Sequence, residues 1–403
     1  MPTSNDVKRL RQSLQSTLDY ARREKYMGYG KHDALNSPLV KTLTFNQKWL
    51  RVLAIQAVMR SPINIRPLLN VKKYRNPKGI SLFARSFLNL YKIHNNDEYL
   101  NEASALLRWL DKIHVKDRSG PCWGYFWDWQ DLGFFAPFGS PNCVVTTFVG
   151  QALLDGYEIT GNERWLQLTV NSIDFIRHDL KVLYEDKKMK CVSYVPDENV
   201  TMIVMDVSAL AGALIARVSH ATQNKALADE ACKLINYVID KQTTEGAWYY
   251  THPPGASPVK IDNYHTGFIL DAILDYQRFS GDDRFHSAYN HGLEFYLRNL
   301  FLDNGAPKWQ SDKIYPFDIH GAATGIATFS RAAYYENPKY INAAFRIASW
   351  AITNMQSPLG FFYYQKFKHW TTKFTEMRWC NAWMAYGLSN LLLTKHWLTR
   401  KEE

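Results

Sequence analysis

The chain has 403 residues, 46% hydrophobic and 14% aromatic, with 48 Lys and Arg against 38 Asp and Glu for a formal net charge of +10. That balance suits a large core and anionic partners; without a Lys/Arg run, zinc spacing or an RNA-binding aromatic motif it speaks against nucleic acid. No run approaches the roughly 18 apolar residues of a membrane span, no apolar leader opens the chain, and five scattered cysteines form no disulfide framework, so a cytoplasmic location is expected.

In chain order, hydrophobic periodicity predicts thirteen helices, over residues 5–25, 42–60, 79–93, 98–112, 143–159, 163–180, 203–219, 225–241, 264–279, 283–299, 319–333, 338–355 and 377–396. Two kinds alternate. The stripe of Ala231, Leu234, Ile235, Val238 and Ile239, with Lys233, Asn236 and Asp240 between, marks an amphipathic outer helix, whereas residues 203–218 carry only Asp206 and Arg217 as charges and read as buried all round. Residues 144–159 and 266–276 also read as internal, 283–299 and 338–355 as external. Such alternation implies two concentric layers.

An internal repeat organises these helices. Turn-plus-helix-start segments recur at Asn96-Asp-Glu-Tyr-Leu, Gly161-Asn-Glu-Arg-Trp-Leu, Gly281-Asp-Asp-Arg-Phe and Glu336-Asn-Pro-Lys-Tyr-Ile, with a degenerate copy near Gln223. A second series, Gly120, Gly246, Gly305 and Gly360, is followed within four residues by Trp123, Trp248, Trp309 or Phe362, and these glycines are expected as helix C-caps. Both series step by about sixty residues. Five hairpins fall between residues 79 and 355, and the last helix can pair with an N-terminal one. The expected fold is all-α, an (α/α)6 toroid of six helical hairpins in one domain over residues 1–403, with residues 1–78 closing the ring against 377–396.

The loops 113–141, 184–201, 245–261, 303–317 and 360–375, rich in aromatic, Gly and Pro residues, each lead into an inner helix and should gather on one rim. Two of them end in an Asp and a His at a helix start, Asp262 with His265 and Asp318 with His320. With Asp128 these are the candidate catalytic groups; as a bland reading, Asp262 is only an N-cap and His265 a hydrogen-bonded core residue. Trp123, Trp129, Trp248, Tyr249, Asn263, Tyr264, Tyr315, Arg378 and Trp379 are the candidate substrate contacts. Paired carboxyls suit glycoside hydrolysis, while two imidazoles suit removal and return of a proton at a sugar carbon, as in epimerisation or lyase-type elimination. A non-catalytic glycan-binding or scaffolding protein is the reading from another class. No cofactor is called for, and the Asp and His residues lack a recognised metal-ligand spacing. Gln242-Thr-Thr-Glu-Gly-Ala-Trp and Gln356-Ser-Pro-Leu-Gly-Phe-Phe resemble the Gln–Trp repeat of triterpene cyclases, but no Asp-x-Asp-Asp acid accompanies them. Arg378, beside shielding rings, needs a carboxylate: either Asp128, Asp262 or Asp318 as an internal brace, or an acidic substrate.

The segments Gly124-Tyr-Phe-Trp-Asp-Trp-Gln, Gly246-Ala-Trp-Tyr-Tyr, Ile261-Asp-Asn-Tyr-His-Thr-Gly-Phe, Tyr315-Pro-Phe-Asp-Ile-His and Met377-Arg-Trp-Cys-Asn-Ala-Trp-Met resemble a bacterial family attached to surface-polysaccharide (capsule, exopolysaccharide, O-antigen) biosynthesis. Tyr29-Gly-Lys-His-Asp-Ala-Leu-Asn-Ser-Pro also fits, and the resemblance spans most of residues 26–395. It implies the six-hairpin toroid used by glycosidases, polysaccharide lyases and sugar epimerases, and a carbohydrate setting; the +10 charge favours an acidic glycan or a nucleotide-sugar, with a free sugar, a lipid-linked unit or a polymer left open. Such a biosynthetic setting favours rearranging a sugar over destroying a glycan. Where the family is expected to carry an Asn-Ala-Asn-like stretch, this chain has Val204-Met-Asp-Val-Ser, with Asp206 as the substitute.

Overall fold

The recurring turns act as helix punctuation. Asn95, Gly161, Gln223 and Gly281 each end an apolar helix in the left-handed conformation, with φ of 49°, 68°, 56° and 71°, and the N–H of each closes the last turn on the Tyr91, Tyr157, Ser219 or Gln277 carbonyl. The polar residue that follows starts the partner helix: Asn96, Asn162 and Asn224 accept from the backbone N–H two residues on, at 2.9, 3.1 and 3.1 Å. In the computed structural model, which describes residues 3–402, this grammar yields fourteen α-helices among the described residues: α1 Ser4–Arg23, α2 Pro38–Leu43, α3 Lys48–Arg60, α4 Pro77–His94, α5 Asp97–Lys112, α6 Cys143–Thr160, α7 Glu163–Asp174, α8 Met205–Thr222, α9 Lys225–Asp240, α10 Asn263–Ser280, α11 His286–Asn299, α12 Ile319–Tyr335, α13 Ile341–Met355 and α14 Trp383–Glu402.

Helices α4, α6, α8, α10, α12 and α14 pack each against the next, and α14 returns to α4, closing a ring. α12 shows why these are the inner layer, since every residue from Ile319 to Ala333 is buried. Outer helices bury one stripe only; in α5 it is Ala103, Leu106, Leu107 and Leu110. α5, α7, α9, α11 and α13 each cover the inner helix before them, and α1 covers α14. Glycine contacts identify α1 as the sixth outer helix. A Cβ on Gly305 (φ 89°) would stand 2.6 Å from the Arg346 carbonyl oxygen of α13, and one on Gly360 (φ 99°) 2.4 Å from the Ser16 carbonyl oxygen of α1. The rim loop thus rests on the next outer helix, and α1 occupies the place that α13 holds one repeat earlier. The fold is the (α/α)6 toroid expected.

Three boundaries differ from expectation. The helix predicted over 42–60 is two, because Phe45 and Asn46 take left-handed φ of 47° and 56°. The helices predicted over 163–180 and 377–396 contain π-turns, at Phe175–Asp179 and Met377–Ala382. The glycines of the second series are not helix caps either: α9 ends at Asp240, and Gly246 closes a later turn through its N–H to the Thr243 carbonyl, 2.9 Å.

Short antiparallel ribbons tie neighbouring rim loops together: Ile203–Val204 pairs with Thr251–His252, and Phe317–Asp318 with Gln365–Lys366. The first N–H of four inner helices donates to an aromatic residue in the following loop, Cys143 to Tyr194, Met205 to Tyr250, Asn263 to Trp309 and Ile319 to Tyr364. These bonds satisfy a donor that a helix start leaves free and hold four rings around the mouth of the toroid.

Candidate active site

The repeat places one side chain per hairpin around the cavity. Lys78, Val144, Asp206, Tyr264 and His320 are each the second residue of an inner helix, and Arg378 is the second residue of the π-turn leading into α14. All six line a cavity of about 600 Å³, joined by Tyr194, Tyr250, Trp309 and Tyr364 from the loops. A large concave site with aromatic walls and convergent polar groups is the form of a small-molecule site.

Two imidazoles reach this cavity, each held by one nitrogen. His265 Nδ1 lies 2.8 and 2.9 Å from the carboxylate oxygens of Asp262; a carboxylate accepts, so Nδ1 carries the proton and Nε2 is left basic. His320 Nδ1 faces the Trp379 carbonyl at 3.2 Å, which fixes the same tautomer, and its buried Nε2 has no partner. Burial, followed by the fields of Lys78, Arg378 and Lys31, holds the pKa of His320 well below that of a free imidazole. Tyr264 stands between the two, its ring centroid 4.3 Å from that of His265 and 4.8 Å from that of His320.

Three buried cations, Lys31, Lys78 and Arg378, share the cavity with the exposed Arg60, and none of the three forms an ion pair among the described residues. Lys31 Nζ lies 3.8 Å from the centroid of Trp379, and Lys78 Nζ 3.9 Å from that of Phe148 and 4.6 Å from that of Phe268. The Arg378 guanidinium lies 5.1 to 5.5 Å from Tyr125, Trp379 and Trp127, and its buried Nε has no partner. Aromatic faces recover only part of the hydration a buried cation loses. Accordingly burial lowers the pKa of both lysines, Lys78 strongly, with Arg378 adding to that effect. Asp206, its Oδ1 unpartnered, is raised by burial despite His265 and Lys78. A buried triad supports this face: Arg66 donates to Asp33 at 2.7 Å and to Glu376 at 3.0 Å, joining the loop of Lys31 to that of Arg378.

Of the candidates read from sequence, His265, His320, Trp129, Tyr264, Arg378 and Trp379 line the cavity. Asp262 and Asp318 stand behind it. Asp318 accepts from Trp379 Nε1, Gln365 Nε2 and the His320 N–H at 2.8, 2.8 and 2.9 Å, so both carboxylates orient neighbours. The remaining candidates lie outside the lining. Asp128 pairs with Lys41 at 2.6 Å and accepts from the Phe138 N–H, fixing a loop. Trp123 and Trp248 are core rings whose indole N–H groups donate to the carbonyls of Leu110 and Val238 in the preceding outer helices. Asn263 is buried between the Leu300 carbonyl and the Tyr296 hydroxyl. Tyr249 is half-buried outside the lining, and Tyr315 is exposed against Phe317. The expected internal brace on Arg378 from Asp128, Asp262 or Asp318 is absent among the described ion pairs. Sequence reasoning missed Lys31, His32, Lys78, Trp127 and Tyr250; the common register of residues 78, 144, 206, 264, 320 and 378 is the signal that would have found Lys78.

No family model matches the chain, and no curated protein matches it. Among solved structures, its fold is similar to that of an unsaturated glucuronyl hydrolase specific for heparin, with a TM-score of 0.63 and 12% identity over 99% of this chain and 98% of that one. It is also similar to cellobiose 2-epimerase from Bacillus thermoamylovorans, at 0.61 and 13% over 82% and 90%. A third is a glycoside hydrolase family 76 mannosidase from Bacteroides thetaiotaomicron, at 0.64 and 14% over 99% and 100%. At these identities the shared property is the (α/α)6 toroid, here with its own set of residues at the cavity.

Proposed function

We propose that the protein is a carbohydrate-active enzyme of surface-polysaccharide biosynthesis that removes and returns a proton at the sugar carbon next to a carboxylate. The single observation that carries this reading is the pair of imidazoles at one cavity, each with Nδ1 tied back and no hydrogen bond to Nε2 among the described residues. The surface-polysaccharide setting rests on the sequence resemblance, and sugar chemistry is supported by the names of the proteins that share the fold.

A proton alpha to a carboxylate is hard to remove because the electron pair must move onto an already anionic group. Arg378 and Lys31, buried without counter-ions, supply positive charge where that pair arrives. One imidazole takes the proton on its Nε2, the carbon–carboxylate unit becomes an enediolate, and the other imidazole, which enters the cycle protonated on Nε2 as well as Nδ1, returns that proton from its own side to give the epimer. The same intermediate, by expelling an oxygen substituent at the next carbon, gives elimination. Trp127, Trp129 and Trp309 offer rings on which a sugar stacks.

Glycosidic cleavage is the second reading, favoured by Asp206, a cavity carboxyl whose raised pKa suits a proton donor. Asp262 and Asp318 do not serve it, being bound behind the lining. Incubation with uronic-acid and neutral oligosaccharides in deuterated water, read by NMR and mass spectrometry, separates the two. Deuterium at a sugar carbon without a new reducing end is the expected result; a new reducing end without carbon-bound label would overturn it.

A further inference from the structure

We propose that the α2–α3 hairpin docks the protein on an anionic phospholipid surface. Large apolar side chains concentrate there: Leu43, Phe45, Trp49 and Leu53 are 59, 72, 68 and 65% exposed, and Leu68, in the turn that follows α3, is 83% exposed. Trp49 and Leu53 are one turn apart on α3, while Ile55 and Val58 on its other side are buried against Ala34 and Leu35. The apolar side is therefore turned outward although the helix has a core contact of its own.

Charge selects the occupant. Between Asp33 and Asp97 the chain holds eleven Lys and Arg and no Asp or Glu. Lys48, Arg60 and Lys72 in this stretch are exposed and have no carboxylate partner among the described residues, Lys48 Nζ donating to the Leu132 carbonyl at 2.7 Å. Trp, Phe and Leu projecting beside exposed cations without carboxylate partners is the composition of segments that lie in the headgroup region of an anionic bilayer. A protein partner needs a surface shaped to receive each projecting side chain, whereas fluid lipid accommodates separated, outward-pointing rings without a matching shape.

Docking by this hairpin has a consequence for the cavity. Gln56, Met59, Arg60 and Ser61, at the end of α3, line it, so the helix that meets the bilayer also borders the site, which would receive substrate at the membrane surface.

The test is co-sedimentation of the full chain with vesicles of phosphatidylcholine and of phosphatidylcholine mixed with phosphatidylglycerol. Binding to the mixed vesicles that weakens with salt is expected. The double substitution Trp49→Ser, Leu53→Ser should lower that partitioning about tenfold or more with the melting temperature and the circular dichroism spectrum kept. Failure to bind either vesicle, or equal binding by the variant, overturns the proposal. So does light scattering that shows a dimer dissolved by the double substitution without vesicle binding, which would assign the face to a second copy.

Discussion

The role proposed for His320 rests on one nitrogen, Nε2. His320→Asn should lower turnover by about two orders of magnitude or more, with thermal melts showing little loss of stability, because the displaced group is unpartnered on the cavity side. Since His320 must be neutral to accept a proton and its pKa is held below 6.5, the acid limb of kcat/KM assigned to it should lie below pH 6.5, read from a pH–rate profile lost in the variant. Arg378→Lys keeps charge but loses the fork; it should weaken binding of acidic sugars measured calorimetrically, with nearly unchanged Tm. Glu376 carries the opposite pH dependence. Burial raises it from 4.5 to about 7, so the folded state holds this proton more tightly. Its contribution to stability is full below pH 4.5 and is lost as pH rises through 7. Glu376→Gln removes that loss, and melts at pH 5 and pH 8 should show the variant gaining on the parent at the higher pH. The two histidines were legible in the sequence because a polar pair at an apolar helix start needs a cavity. Lys31 and Lys78 were not, since a lone lysine reads as a solvated side chain and only its place in the ring reveals the burial.

The elements are set by turns that recur with the hairpin. Gly360→Ala puts a Cβ 2.4 Å from a carbonyl oxygen of α1 at a positive φ, so it should cost more than about 2 kcal/mol in chemical denaturation. Trp248→Phe removes the indole N–H bonded to the Val238 carbonyl at 2.8 Å and leaves that carbonyl the Lys241 N–H at 3.2 Å; a loss of about 1 kcal/mol is expected, with KM unchanged. The sixty-residue period and the inner and outer characters of the helices were readable because burial on all faces and on one face leave different patterns. What the period did not reveal was which aromatic of each loop faces the cavity: Trp248 is core while Tyr250, two residues on, lines the site. Both are large rings after a glycine, and the choice is made by the N–H of Met205, which fixes the Tyr250 carbonyl. The π-turn at Met377–Ala382 was likewise hidden, as its sequence has ordinary helical spacing.

For the whole molecule, closure of the ring is what brings six helix starts to one cavity. Asp206 and Lys78 come from α8 and α4, His265 and His320 from α10 and α12, and Arg378 from the turn before α14; an open stack of the same hairpins would not assemble them. In the proposed reaction one imidazole takes a proton from the carbon beside a carboxylate and the other delivers a different, solvent-derived proton from the opposite side. The direct measurement is solvent deuterium incorporation into each epimer of a uronic-acid substrate by the parent, His265→Asn and His320→Asn. The account predicts label in both epimers with the parent, and for each variant loss of net epimerisation with any residual exchange confined to the epimer its remaining imidazole serves. Undiminished exchange and epimerisation in both variants would contradict it.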